Sequence, residues 1–241
     1  DRIRTIEVYL PPDYFDTENS YPVIYLLDGK YVFNPQNPKA GDYRIDETLD
    51  KLFNQGTLNG MIAVGIRLDK QYLWSEYSPW VNHNMYDWIV PTNGEPEEGG
   101  EGFAFLEFIV NTLKPEVDSR YRTLADRENT AIGGFCRTAI IPIVAGLNYP
   151  DVFTMVMAMS PTVWFTEEGG QWLSNNHLIN LIVTNGVDED VRFFIHVGTE
   201  EASGNRPPIK DQHGKRITYP RAYVEGAENL SAALIKHGAP S

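Results

Sequence analysis

A single cysteine, Cys136, in 241 residues excludes an intrachain disulfide, so the fold must rest on its apolar core. Positive charge is also scarce: 20 Lys and Arg stand against 33 Asp and Glu, a formal net charge of −13. Such a surface repels a phosphate backbone, which argues against a nucleic-acid partner and for an uncharged or cationic one. No apolar run nears the roughly 18 to 20 residues needed to cross a bilayer, so no membrane partner is expected. The chain opens at Asp1 without a basic stretch leading into an apolar one, which suggests a processed or excised chain. What is present is 42% hydrophobic and 12% aromatic residues, enough to close one large core. No repeat or biased linker divides the chain, and a single domain over residues 1–241 is expected.

The hydrophobic pattern alternates between two periods. Arg2 to Leu10 switches between polar and apolar side chains like a half-buried edge strand, and Pro11-Pro12 stops it. Tyr21-Pro22-Val23-Ile24-Tyr25-Leu26-Leu27 is instead a continuous apolar run, the pattern of a strand covered on both faces. A short helix over Asp46 to Asn54 and a strand over Met61 to Ile66 follow. Phe103, Leu106, Ile109, Val110 and Leu113 then recur at helical spacing between Gly102 and Val117. Further on, strands are expected at Thr130 to Gly133, Thr154 to Met159 and Val191 to Val197. Helices are expected at Ala139 to Leu147, Leu173 to Asn185 and Ala227 to Lys236. This alternation predicts an α/β fold: a doubly wound, mostly parallel sheet with helices on both faces. Thr92 to Glu101 and Gly198 to Tyr219 read as long surface loops. The acidic stretch Glu95 to Glu101 is most simply solvated, with metal binding the lesser alternative; no cofactor is implied.

One junction carries chemistry. Strand Thr130-Ala131-Ile132-Gly133 runs through Gly134-Phe135-Cys136-Arg137-Thr138 into an apolar helix, the setting in which a G-x-S-x-G nucleophile elbow has meaning. Small neighbours let the backbone bend sharply, and the central side chain stands above the sheet. The next backbone N–H, that of Arg137, points to where an oxyanion would develop. A thiol at Cys136 is a competent acyl acceptor. In isolation, a cysteine beside a phenylalanine is more often a small core residue.

From this point the chain resembles the Putative esterase family of α/β-hydrolases, which includes feruloyl and acetylxylan esterases of carbohydrate esterase family one. The resemblance rests on Val8-Tyr9-Leu10-Pro11-Pro12-Asp13-Tyr14, Tyr21 to Gly29, Tyr121-Arg122-Thr123 and Tyr149-Pro150-Asp151-Val152-Phe153, in the family's order. It implies a carboxylic-ester hydrolase, acting on feruloyl or acetyl esters of plant cell-wall polysaccharide, with an extracellular location. It implies Cys136 as nucleophile, where the family has Ser, and Glu201 as the acid that orients a histidine, with Glu200 and Asp211 as competitors. The oxyanion donors would be the backbones of Arg137 and of Gly29 or Lys30. Tyr31, Trp74, Tyr77, Trp80 and Trp164 would lie near the pocket mouth, able to stack a sugar or phenolic group, or else simply packed under loops.

The chain departs from the family at three points. Thr138 stands where the family has Gly, and its β-branched side chain is expected to alter the turn or crowd the pocket. Cys replaces Ser, as a native residue or a substitution. The family's histidine follows one further strand, which the chain, ending at Ser241, is expected to lack. His213 lies in the loop after Glu201, and nothing in its spacing assigns it the role. His237 sits at a helix C-terminus, where positive charge suits the dipole. His83 and His177 read as surface or partly packed, and His196 as facing the helix layer from within a strand. The alternative reading is a catalytically impaired relative that binds carbohydrate or a protein partner.

Overall fold

The structure is a computed structural model, and it describes residues 2–33, 43–67, 69, 71–82, 98–163, 176–201, 209–210 and 215–240. Its elements begin with β1 (Ile6–Tyr9), β2 (Val23–Leu27), α1 (Gly29–Val32), α2 (Ile45–Asn54), β3 (Ile62–Ile66) and α3 (Leu73–Glu76). They continue through β4 (Val81–Asn82), β5 (Glu98–Gly99), α4 (Gly102–Phe108), α5 (Lys114–Arg120), β6 (Thr130–Phe135), α6 (Ile140–Asn148) and β7 (Met155–Met159). The last are α7 (His177–Asn185), β8 (Arg192–His196), β9 (Ile209–Lys210), β10 (Arg216–Ile217) and α8 (Tyr219–Lys236).

Six strands form one sheet in the order β1-β3-β2-β6-β7-β8. The strands with unbroken apolar sequence are central: β3 is buried at every position, and β2 at all but Ile24. The alternating segment, β1, is the antiparallel edge, half-buried and paired with β3 from Ile6↔Ile66 to Tyr9↔Ala63. The other neighbours are parallel, so β2, β6, β7 and β8 all end on the same edge of the sheet. In open α/β sheets that edge is where ligands bind.

Side-chain alternation divides the core in two. Val23, Tyr25 and Leu27 of β2 pack with Leu106, Ile143, Ile182 and Leu230 from α4, α6, α7 and α8. Ile24 and Leu26 of the same strand pack instead with Val32 and Leu49 from α1 and α2. The two layers are helices on opposite faces, the doubly wound arrangement the sequence predicts.

Three elements differ from expectation. The helix expected over Gly102 to Val117 extends to Arg120 and carries one π-helical turn, Ile109–Leu113, between α4 and α5. Both expected loops contain strand: Thr92 to Glu101 holds β5, which pairs with β4, and Gly198 to Tyr219 holds the antiparallel pair β9–β10. The last helix begins at Tyr219, eight positions before the expected Ala227. The Thr218 side chain accepts the Arg221 N–H at 3.5 Å, and Pro220 lies in the first turn, where a missing N–H costs nothing. Burial of Ala222, Tyr223 and Gly226 outweighs the weak helix propensity of the glycine. Among the described residues no helix is long and apolar enough to cross a membrane.

Candidate active site

β6 stops at Phe135, and a 3-10 turn over Cys136–Ala139 carries the chain into α6. Cys136 holds a left-handed backbone with φ +56°, which costs a non-glycine residue about 1 kcal/mol. The bend is tight enough to demand glycine nearby: a Cβ on Gly134 would lie 2.6 Å from the Thr138 carbonyl oxygen. The outcome is an exposed thiol at the end of a buried strand. Thr138 is folded inward with 1% of its surface exposed. Its Oγ1 accepts the Phe135 N–H at 2.9 Å and lies 2.9 Å from the Phe135 carbonyl and 3.4 Å from Asp28 Oδ2. The side chain expected to disturb the turn instead supplies its internal hydrogen bonds.

Because β2 lies beside β6, the turn after β2 reaches the elbow. Asp28 has φ +63°, and burial raises its carboxyl pKa to about 6, against the opposing pull of the Arg137 guanidinium and the Thr138 hydroxyl. Gly29 is closely packed: a Cβ there would stand 2.7 Å from the Gly65 carbonyl carbon. Gly29 and Lys30 thus open α1 on the same strand edge as Cys136, with Lys30 Nζ 5.4 Å from the centre of the Tyr31 ring.

The Arg137 guanidinium lies 3.7 Å over the Trp74 ring. Burial pushes its pKa down, opposed by Cys136 and Asp28, and its Nε has no hydrogen-bond partner among the described residues. This corrects the expectation for Trp74. Its ring is buried with a face covered by Arg137, so it supports the elbow and does not present a stacking platform. Tyr77 is buried in the same way, and Trp80 stacks on His177 with centroids 5.4 Å apart. Tyr31 is half-buried, 6.0 Å from Tyr43, which stacks on Phe135 at 3.9 Å. Trp164 lies outside the described residues.

On the other side of the elbow, Ser160 follows β7 with φ +50°. Its hydroxyl bonds to Glu201 Oε1, which also accepts the Gly198 N–H at 3.2 Å. Glu201 is therefore fixed at the end of β8, whereas Glu200 is exposed. The Ser160 N–H bonds to the His196 carbonyl at 2.6 Å, and the Thr162 N–H reaches the Cys136 carbonyl at 3.3 Å, joining the ends of β7 and β8 to the elbow. Contrary to expectation, His196 stands on the exposed face of β8, because Phe193 and Ile195 take the core-facing positions. His237 ends α8 as expected. His83, Asp211 and His213 lie outside the described residues. Among the described residues no cluster of three or more His, Cys, Asp or Glu side chains is arranged to hold a metal ion.

Sequence reasoning missed three contributors. Tyr223, in the first turns of α8, places its hydroxyl 3.2 Å from Cys136 Sγ. No pattern pointed to it, since the helix was expected to begin after it. Ser160 and Asp28 had a signal: each is a polar residue directly following an apolar parallel strand, on the edge where sites form.

The elbow and the shared strand edge have counterparts in known proteins. A family model described as "Putative esterase" matches residues 1–217. The chain belongs to that family. Among its relatives, the uncharacterized protein YbbA of Bacillus subtilis (strain 168) is 23% identical over 198 residues, covering 82% of this chain and 69% of YbbA. Ferri-bacillibactin esterase BesA of the same organism is 28% identical over 189 residues, covering 69% of this chain and 59% of BesA. An IroE-like serine hydrolase from Shewanella oneidensis superposes with a TM-score of 0.67 at 20% identity, over 98% of this chain and 66% of that one. A ferulic acid esterase superposes with a TM-score of 0.63 at 20% identity, over 98% of this chain and 81% of that one. The chain therefore spans only part of each of these proteins, and the structural likenesses establish the α/β-hydrolase fold.

Proposed function

We propose that this protein cleaves carboxylic esters of small molecules by acyl transfer to Cys136. The observation that carries this is the exposed thiol of Cys136 at φ +56°, flanked on one strand edge by the Asp28–Lys30 turn and by the Ser160–Glu201 pair. A strained turn that lifts a nucleophile clear of the sheet, with fresh backbone N–H groups behind it, suits attack on a carbonyl and stabilisation of the resulting oxyanion. The backbones of Arg137 and of Gly29 or Lys30 are the candidate donors. For the substrate we favour siderophore-type esters over acyl groups on wall polysaccharide, because BesA is named for ferri-bacillibactin and carries 28% identity. The burial of Trp74 points the same way, since it removes one of the aromatic faces that a sugar chain would use.

The test is acylation. Incubated with p-nitrophenyl acetate or a catecholate-serine ester, the protein should release a burst of alcohol and carry the acyl mass on Cys136, with Cys136→Ala silent. Absence of both adduct and turnover in the wild type and in Cys136→Ser defeats the proposal.

A second reading is favoured by one contact. The Tyr223 hydroxyl lies 3.2 Å from the thiol, as a group engaging a disused nucleophile would. A binding protein of this kind would retain affinity for a ferric siderophore or xylan fragment by calorimetry while showing no acylation.

A further inference from the structure

We infer that the Arg137 guanidinium forms an anion subsite beside Cys136, one that takes a carboxylate carried on the acyl part of the ester. As a statement about substrate this rests on the esterase reading above. The guanidinium lies 3.7 Å over the Trp74 ring, which fixes the plane of the charged group. Cys136, Asp28, Tyr223 and Tyr77 are the groups that feel its charge, so it stands among the residues gathered around the thiol.

What sets Arg137 apart is the lack of a partner. The other half-buried arginines among the described residues are all paired. Arg4 donates to Glu76, Arg122 to the Asn19 and Thr17 carbonyls, and Arg127 to the Pro150 carbonyl and the carboxylates of Glu128 and Asp190. Arg137, also half-buried, makes neither a hydrogen bond nor an ion pair among the described residues, and its Nε is closed to water as well. Asp28 acts on it through space only and turns Oδ2 toward the Thr138 hydroxyl, 3.4 Å away. A guanidinium drawn out of water with no carboxylate against it carries an electrostatic cost that an anionic ligand removes.

The two terminal amino groups of Arg137 are not closed off as Nε is, and they form the parallel donor pair that matches a carboxylate. The exposed Cys136 thiol, one residue back, sets where the reacting carbon must stand. The carboxylate therefore belongs to the same small molecule, a few bonds from the scissile carbonyl, as in half-esters of short dicarboxylic acids. The net charge of −13 does not oppose this. Exposed charges are screened beyond about 8 Å in physiological salt, whereas a contact pair is screened much less.

Iodoacetate and iodoacetamide both alkylate sulfur with loss of iodide, and they differ in charge. The ratio of their rates on Cys136 reads the subsite alone, because any change in the reactivity of the thiol acts on both reagents. In the 241-residue protein that ratio should exceed the ratio for N-acetylcysteine amide, an uncharged free thiol, by about 10-fold, and Arg137→Gln should bring it to the free-thiol value or below. A wild-type ratio at or below that of the free thiol overturns the subsite, and so does a ratio unchanged in Arg137→Gln. Should Arg137→Gln fail to fold, the wild type still decides: glutarate should slow its alkylation by iodoacetamide, and glutaramide should not. Equal slowing by both, or by neither, overturns the subsite. Alkylation involves no ester chemistry. A protein with the iodoacetate preference that is acylated by neither p-nitrophenyl hemiglutarate nor p-nitrophenyl acetate loses the esterase reading and keeps the subsite, as a binding site for carboxylates.

Discussion

The Thr138 hydroxyl accepts the Phe135 backbone N–H at 2.9 Å, closing the elbow from inside across three residues. With the residue 1% exposed, water cannot replace that bond. Thr138→Val keeps the shape and removes the acceptor, and should destabilise the protein by about 1 to 2 kcal/mol. Thr138→Ser should cost much less. Urea titration of the three proteins provides the check, and equal stability of wild type and Thr138→Val would show that the hydroxyl is not needed.

Asp28 makes stability depend on pH in an unusual direction. Its carboxyl moves from an ordinary 3.8 to about 6 on folding, chiefly through burial. Between those values the folded protein keeps a proton that the unfolded chain has released, so folding takes one up. The contribution of Asp28 is therefore most favourable below 3.8 and is lost as the pH rises through about 6. Asp28→Asn should gain on the wild type as pH increases, by up to about 3 kcal/mol between pH 4 and 7. Denaturation curves for both proteins at the two pH values measure that difference, and a constant gap would refute it.

Ser160 and Glu201 couple the ends of β7 and β8. Ser160→Ala removes one of the two hydrogen bonds that Glu201 Oε1 accepts, leaving the one from the Gly198 N–H. A loss of about 1.5 kcal/mol is expected, in the range for a hydrogen bond to a charged group. Glu201→Ala removes the acceptor of both bonds and should lose more, and the double variant should fall short of the sum by about one bond, because both single changes break the Ser160–Glu201 bond. Strict additivity in thermal unfolding would mean that the two side chains act independently.

The sheet was legible in the sequence because burial on both faces leaves uninterrupted apolar runs, as in Tyr21 to Leu27 and Met61 to Ile66. The elbow was legible because a glycine-rich strand end leading into an apolar helix has few other uses. Tyr223 was not, because its place beside the thiol arises from a contact across 87 positions and no local period records such a meeting. Of the two readings open for Trp74, packing under a loop and substrate contact, the structure favours packing, for a related reason. An aromatic in a polar loop reads as exposed until the partner that covers it, here Arg137, is known. Thr138 was read from its bulk alone, whereas its hydroxyl decides how it sits.

The φ of +56° at Cys136 should itself be measurable as stored strain. An L-residue in this region brings Cβ toward the following carbonyl, whereas glycine carries no such penalty. Cys136→Ala keeps the Cβ and so the strain, losing only the sulfur and its contact with Tyr223. Cys136→Gly relieves the strain but gives the unfolded chain more freedom, which offsets part of the gain. The glycine variant should therefore be at least as stable as the alanine variant, by roughly 0 to 1 kcal/mol, although glycine usually loses to alanine in regular structure. Guanidinium titrations of the pair decide the matter. An alanine variant more stable by 1 kcal/mol would mean that the elbow relaxes when sulfur is removed, and that its bend is held by the Sγ contact and not by the Phe135–Thr138 turn.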